Sequence, residues 1–155
     1  MFKSHKMTNL NKVQLISYET AKLAKEADYD VPTPYYYDDT RSYMNPYYPS
    51  LHTIYEGEWH ENDYYGVGNS YSAPLQSLMQ KWLREKCGIH INVIPDYSIV
   101  SIGRFNRYIH KSHDEFCDAL SREIKTGRKR FDTYEEALED AIKEGLGRVI
   151  ESQVK

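Results

Sequence analysis

Cysteine is scarce in this chain: Cys87 and Cys117 are its two copies in 155 residues, so at most one disulfide can form. Both fall in helical patterns, which fits reduced thiols better than a covalent staple. Long apolar runs are absent, since none approaches the roughly 20 residues that span a bilayer. The opening stretch, Met1-Phe2-Lys3-Ser4-His5-Lys6-Met7-Thr8-Asn9, is polar and lacks the apolar core of a secretory signal. A cytoplasmic protein with no membrane contact is the expectation. Catalytic motifs are lacking as well. Gly66-Val67-Gly68 is not followed by a dinucleotide fingerprint, no phosphate-binding loop occurs, and no nucleophile has an oxyanion-hole context. The sequence therefore predicts no cofactor and no metal, and favours binding over catalysis.

What the chain does contain is enough apolar material to fold. Hydrophobic residues make up 40% and charged residues 28%, a balance that excludes disorder. At this length one domain is expected, over residues 1–155, with 1–9 as a loose tail. The net charge of −3 is unevenly spread. Asp28, Asp30, Asp38, Asp39, Glu56, Glu58, Glu61 and Asp63 face a single base, Arg41, in one stretch. Between Lys81 and Arg130 eleven bases outnumber six acids. Polarity of this kind steers partners or holds subunits in register.

The local patterns predict an α+β fold, a small antiparallel sheet packed against three to four helices. Ser17 has the chemistry of an N-cap for a helix carrying Ala21, Leu23, Ala24 and Ala27, which Pro32 and Pro34 cannot continue. Ser72 is a second candidate cap, with Leu75, Leu78, Met79, Trp82 and Leu83 as a buried stripe and Gly88 as the stop. Ile89, Ile91 and Val93 alternate with His90 and Asn92, the pattern of a strand buried on one face. Tyr97 to His110 reads as its longer hairpin partner. Ser112 with Glu115, and Thr133 with Glu136, form capping boxes for two further helices. The last helix buries Tyr134, Ala137, Leu138, Ala141, Ile142, Leu146, Val149 and Ile150. Gly145 and Gly147 predict a bend, fraying or close backbone approach there.

Two segments carry a family likeness. Tyr-Ser-Ala-Pro-Leu-Gln-Ser-Leu-Met-Gln-Lys-Trp-Leu-Arg-Glu-Lys-Cys-Gly-Ile-His-Ile from Tyr71, and Phe-Asp-Thr-Tyr-Glu-Glu-Ala-Leu-Glu from Phe131, resemble a family of small proteins of unassigned activity carried by phages and prophages of gut Bacteroidetes. The Ser17 to Lys25 stretch is similar to that family's opening helix. The resemblance implies a mobile-element origin and a bacterial host cytoplasm, and it transfers no catalytic residue. Residues 44–68 and the helix from His113 to Lys125 depart from the family pattern as insertions.

The tyrosines set the functional expectation. Ten of the fifteen lie between Tyr35 and Tyr71, in an acidic, Pro- and Gly-punctuated segment spanning residues 35–70. Tyrosine offers large rigid area with a hydroxyl, which suits recognition surfaces. Tyr35, Tyr36, Tyr37, Trp59, Tyr64 and Tyr65, with Arg104, Arg107 and Tyr108, form the expected ligand-binding set. The partner is a nucleotide-like ligand, with the arginines on its phosphate, or a host protein. Counter-defence by sequestering a nucleotide signal or blocking a host factor is the concrete form. Self-association through the tyrosine surface, giving an oligomer, is the structural alternative. A small hydrolase built on His60, Glu58 and Glu61 is the catalytic one. His110, His113, Cys117, His90 and His60 are the residues a transition metal would draw on, at spacings that match no strong ligand motif. The basic turn from Lys125 to Arg130 stands in a chain of pI near 6.1, which argues against DNA as the partner.

Overall fold

A computed structural model describes residues 14–38, 50–53, 70–95, 105–126 and 129–155. Four helices and five strands occur there in the order α1 (Tyr18–Glu26), β1 (Tyr35–Asp38), β2 (Ser50–Thr53), β3 (Ser70–Ser72), α2 (Gln76–Cys87), β4 (His90–Pro95), β5 (Phe105–His110), α3 (His113–Thr126) and α4 (Tyr134–Gln153). The fold is α+β as expected, but the strands divide into two antiparallel sheets. One has the order β2-β1-β3 and the other is the β4-β5 hairpin.

Several helix ends form as the sequence predicts. The Ser17 hydroxyl accepts the Thr20 amide, and the Thr133–Glu136 capping box is reciprocal. The Ser112 hydroxyl takes the Glu115 amide while the Glu115 carboxylate accepts the Lys111 amide. Gly88 ends α2 at φ 64°, the left-handed region that only glycine enters cheaply. Asp28 adopts φ 58° after α1, and the Tyr29 amide bonds back to Ala24, so an aspartate performs the turn usually left to glycine.

The α2 start departs from expectation. Ser72 does not cap a helix; it is a buried strand residue opposite Tyr36, and Leu75 precedes α2 without a side-chain cap. Pro74 explains the delay. It disfavours helical backbone at Ala73 and offers its carbonyl to the Ile16 amide, so the chain pairs outward before it coils. Leu75 is left 40% exposed, while Met79, Trp82 and Leu83 form the buried stripe.

α4 is the hub, with α1, α2, β4 and β5 all packed on it. Ser17 meets Glu139 and Asp28 meets Gln153, so α1 runs parallel to α4. Gln76 meets Glu139, and Leu83 faces Gly145, so α2 does the same. Three helices thus point one way, and the strands supply the return path. Buried Ile16, Ala21, Ala24, Met79, Leu83, Ile89, Ile91, Ile109, Leu138, Ala141, Ile142 and Leu146 form the shared core. Tyr134 is 38% exposed instead of buried; its ring meets Phe105 edge-on at the start of the helix.

Neither α4 glycine interrupts the helix, which continues to Gln153. Gly145 is a contact position: a Cβ there would lie 3.2 Å from Leu83 Cδ1 and 3.6 Å from Ile89 Cγ2. A Cβ on Gly147 would meet nothing within 4 Å. Gly145→Val is therefore expected to destabilise by about 2 kcal/mol through overpacking, whereas Gly147→Ala should stabilise by about 0.5–1 kcal/mol through helix propensity. Urea unfolding of the two variants checks the opposite signs.

Candidate recognition surface

Of the predicted ligand set, Tyr35, Tyr36, Tyr37, Arg107 and Tyr108 fall within the described residues. Trp59, Tyr64, Tyr65 and Arg104 lie outside the described residues, as do His60, Glu58 and Glu61, residues 1–9 and most of 35–70. β5 is described from Phe105 onward, and the Tyr97–Arg104 part of the predicted strand also falls outside.

Arg107 and Tyr108 are neighbours on β5 and so project to opposite faces of the hairpin. Arg107 enters the α4 side, where only 17% of its side chain is exposed. Its guanidinium pairs with Asp140 and, at 2.7 Å, with Glu144. Lys129 reaches Asp140 at 2.6 Å, and Arg148 reaches Glu144 at 2.8 Å. The result is an alternating chain, Lys129–Asp140–Arg107–Glu144–Arg148, that rivets β5 to α4. A cavity of about 260 Å³ beside it is lined by Arg107, Lys129, Glu144 and Arg148. Arg107, expected at a phosphate, is thus paired with two carboxylates of α4. Tyr108 is buried at 4% exposure, its ring edge-on to Phe116 of α3 at 5.4 Å.

His110 and His90 are also engaged within the fold. His110 is 9% exposed and stacks on His90, with ring centroids 5.5 Å apart. Its Nδ1 faces the Ser112 carbonyl at 3.0 Å, so Nδ1 carries the proton and donates; Nε2 is left to accept from the Asn92 amide at 2.9 Å. His113 Nε2 lies 3.6 Å from the Cys117 sulfur on the exposed side of α3. Among the described residues no three His, Cys, Asp or Glu side chains converge as a metal would require.

The tyrosines of the first sheet behave differently. Tyr37 and Tyr71 are cross-strand partners, so both rings stand on the α1 side. The Tyr18 ring stands roughly perpendicular to each, with centroids 5.7 and 5.6 Å apart. Lys22 lies 4.9 Å over the Tyr18 ring and Lys25 5.4 Å over the Tyr71 ring. The Tyr37 hydroxyl donates to the Ile16 carbonyl at 2.9 Å, and burial, then the Glu139 charge, pushes its phenol up. Tyr35 and Tyr36 complete β1, both half-buried. Of the eight described tyrosines (18, 29, 35, 36, 37, 71, 108 and 134), Tyr29 and Tyr108 are the two that are buried, and the other six are part-exposed. Tyr18, Tyr71 and the two lysines were missed by the sequence reading. A signal existed: Tyr18, Lys22 and Lys25 share a helix face at spacings of four and three.

Tyr37 also borders an open cleft of about 540 Å³ that Phe131, Gln76, Glu135, Glu136, Glu139, Asp140 and Lys143 line. Its acids are already engaged. Glu136 closes the capping box, Glu135 takes the Gln14 amide, and Asp140 holds Arg107 and Lys129. Glu139 accepts the Ser17 amide at 2.8 Å, the Thr20 hydroxyl, and the Gln76 Nε2 at 3.0 Å. That last bond fixes the Gln76 amide and leaves its buried Oε1 without a donor, because the flipped amide would set oxygen against carboxylate.

No protein-family model, curated protein or solved structure matches the chain. No helix among the described residues is long and apolar enough to cross a membrane.

The ionic chain has a pH signature. Burial alone would raise the Asp140 and Glu144 carboxyls, but hydrogen bonds and charge from Lys129 and Arg107, and from Arg148 and Arg107, hold both below their usual range. A folded-state value below the unfolded one stabilises above the unfolded titration range, and that gain is lost as pH falls through the folded value. Unfolding free energy should therefore drop more steeply between about pH 5 and pH 2 in the native chain than in Asp140→Asn/Glu144→Gln. Parallel slopes in urea titrations at stepped pH would remove the network from the stability account.

Proposed function

We propose that this chain is a non-catalytic accessory binding protein of a phage or prophage, working in the bacterial host cytoplasm by engaging and blocking a host protein. The tyrosine cluster between α1 and the first sheet carries this reading: Tyr18, Tyr37 and Tyr71 stand together, half-buried, with Lys22 and Lys25 beside them. Rigid aromatic area is enriched in protein interfaces, and tyrosine binds at low entropic cost. The phage origin rests on the likeness of the α1, α2 and α4 segments to the Bacteroidetes phage family. A protein partner is favoured over a nucleotide because Arg107, the basic residue offered for phosphate, is held by Asp140 and Glu144, and Tyr108 is covered. A counter-defence role follows as the concrete version, in which the bound host factor is one that acts against the phage.

The test uses tagged protein expressed in the bacterial host, beside a Tyr18→Ala/Tyr71→Ala variant matched for circular dichroism and melting temperature. One host protein retained in stoichiometric amount, reconstituted as a binary complex and lost in the variant, is the expected result. A partner indifferent to the variant, or none, overturns the proposal. Stabilisation of about 2.7 kcal/mol by any mono-, di- or cyclic nucleotide at a hundredfold excess over its dissociation constant would replace it with the nucleotide reading.

A further inference from the structure

Because α1, α2 and α4 run parallel, their C-terminal ends arrive at the same place. A cavity of about 380 Å³ opens there, with Ala27 and Asp28 from the end of α1, Lys86 and Cys87 from the end of α2, and Ser152 and Gln153 from the end of α4. Trp82, Ile89 and Val149 form its apolar wall. Each helix end carries about half a negative charge, so three supply roughly −1.5 before any side chain is counted.

The usual cationic counterweights are weak or directed elsewhere. α4 has no basic residue in its last turn. Lys25 of α1 donates to the Ser70 carbonyl, and Arg84 of α2 pairs with Glu85. Asp28 and Asp30 add two carboxylates, and Lys86 is the one base among the described residues that line the space. The sum is about −2.5, given three helix ends, two carboxylates and one ammonium. The opposite end of the bundle does not repeat this, since its carboxylates meet helix N-termini of the opposite sign.

Two titratable neighbours are shifted mainly by burial, with the Asp30 charge acting in the same direction. The Cys87 thiol is pushed up, first by burial and then by the Asp30 charge, with Lys111 acting in the opposite sense. The Tyr29 phenol is pushed up by the same two causes. Asp30 itself is oriented by the Trp82 indole N–H, which donates at 2.8 Å, and Asp28 accepts from Gln153 at 3.4 Å.

We propose that this cavity binds an organic cation, an ammonium or guanidinium head on an aliphatic stem. The head lies between Asp28, Asp30 and the helix-end carbonyls, and the stem lies on Trp82, Ile89 and Val149. A wholly oxygen-coordinated metal ion is a poorer match, because two carboxylates and an apolar wall leave most of a hard cation's shell unfilled. Lys86, 3.6 Å from Asp30, holds the cation's place from within and competes with it. The same head group can come from a free polyamine or from a basic side chain of another protein.

The competition gives a test with opposite signs. Uniformly ¹⁵N-labelled protein is titrated with spermidine and, separately, with N-acetyl-arginine amide at constant ionic strength, following the Trp82 indole N–H. Saturable movement is expected with at least one probe. Spermidine alone would assign a free polyamine, the arginine derivative alone a partner's side chain, and both the shared head group. Asp30→Asn should weaken binding by about tenfold, the loss of one well-placed ionic contact. Lys86→Ala should tighten it by several-fold, which loss of a merely structural lysine would not do. Both side chains are more than half exposed, at 59% and 62%, so each variant should fold. A response matched by sodium chloride, or a Lys86→Ala variant that binds more weakly, overturns the proposal.

Discussion

One carboxylate fixes the frame on which the rest is hung. Glu139 takes the backbone amide that opens α1, the hydroxyl one turn further on, and the side-chain amide at the first residue of α2. The Ser17 hydroxyl completes the chain by donating to Thr20, whose own proton goes to Glu139. Parallel helices set side by side repel through their aligned dipoles, and charge placed at their N-terminal ends offsets this. Glu139 does so for two helices at once, with Glu135 and Glu136 serving the first turn of α4 itself. The acidic cleft at that end is thus a consequence of helix direction, and its opposite end inherits the unbalanced sign.

The same direction determines what the strands must do. β4 returns from the C-terminal end of α2, and β5 then runs beside α4 and brings Arg107 against Asp140 and Glu144. α3 rests on the other face of β5, where Phe116 lies between Tyr108 and His110. Polar chemistry on the hairpin is therefore largely spent on attachment. The first sheet is different: α1 meets it along a row of phenols, and those rings are shared between packing and surface.

Legibility from sequence followed the range of the interaction. Local signals held: Ser17, Thr133 with Glu136 and Gly88 act within a turn or two of the backbone they terminate, and the Ile89–Val93 alternation needs only the pleat. Ser72 misled because strand pairing with Tyr36 outweighed its capping chemistry. Pairings across more than a hundred residues, such as Ser17 with Glu139, leave no trace in a local window. Arg107 and Tyr108 could have been separated on period alone, since adjacent strand residues cannot serve one face. Gly145 was read for its backbone, whereas the contact it permits is with Leu83 and Ile89. Of the expected site, the tyrosine bias was visible in composition, but the partners Tyr18, Lys22 and Lys25 came from a helix judged only for its core.

The most direct measurement is hydrogen exchange and urea unfolding of Glu139→Ala against the native chain. Loss of a part-buried carboxylate with three donors should cost about 3 kcal/mol and speed exchange at Ser17 and in the first turns of α1 and α2 together. A cost below about 0.5 kcal/mol with both helix starts equally protected would show that the parallel bundle does not depend on this residue.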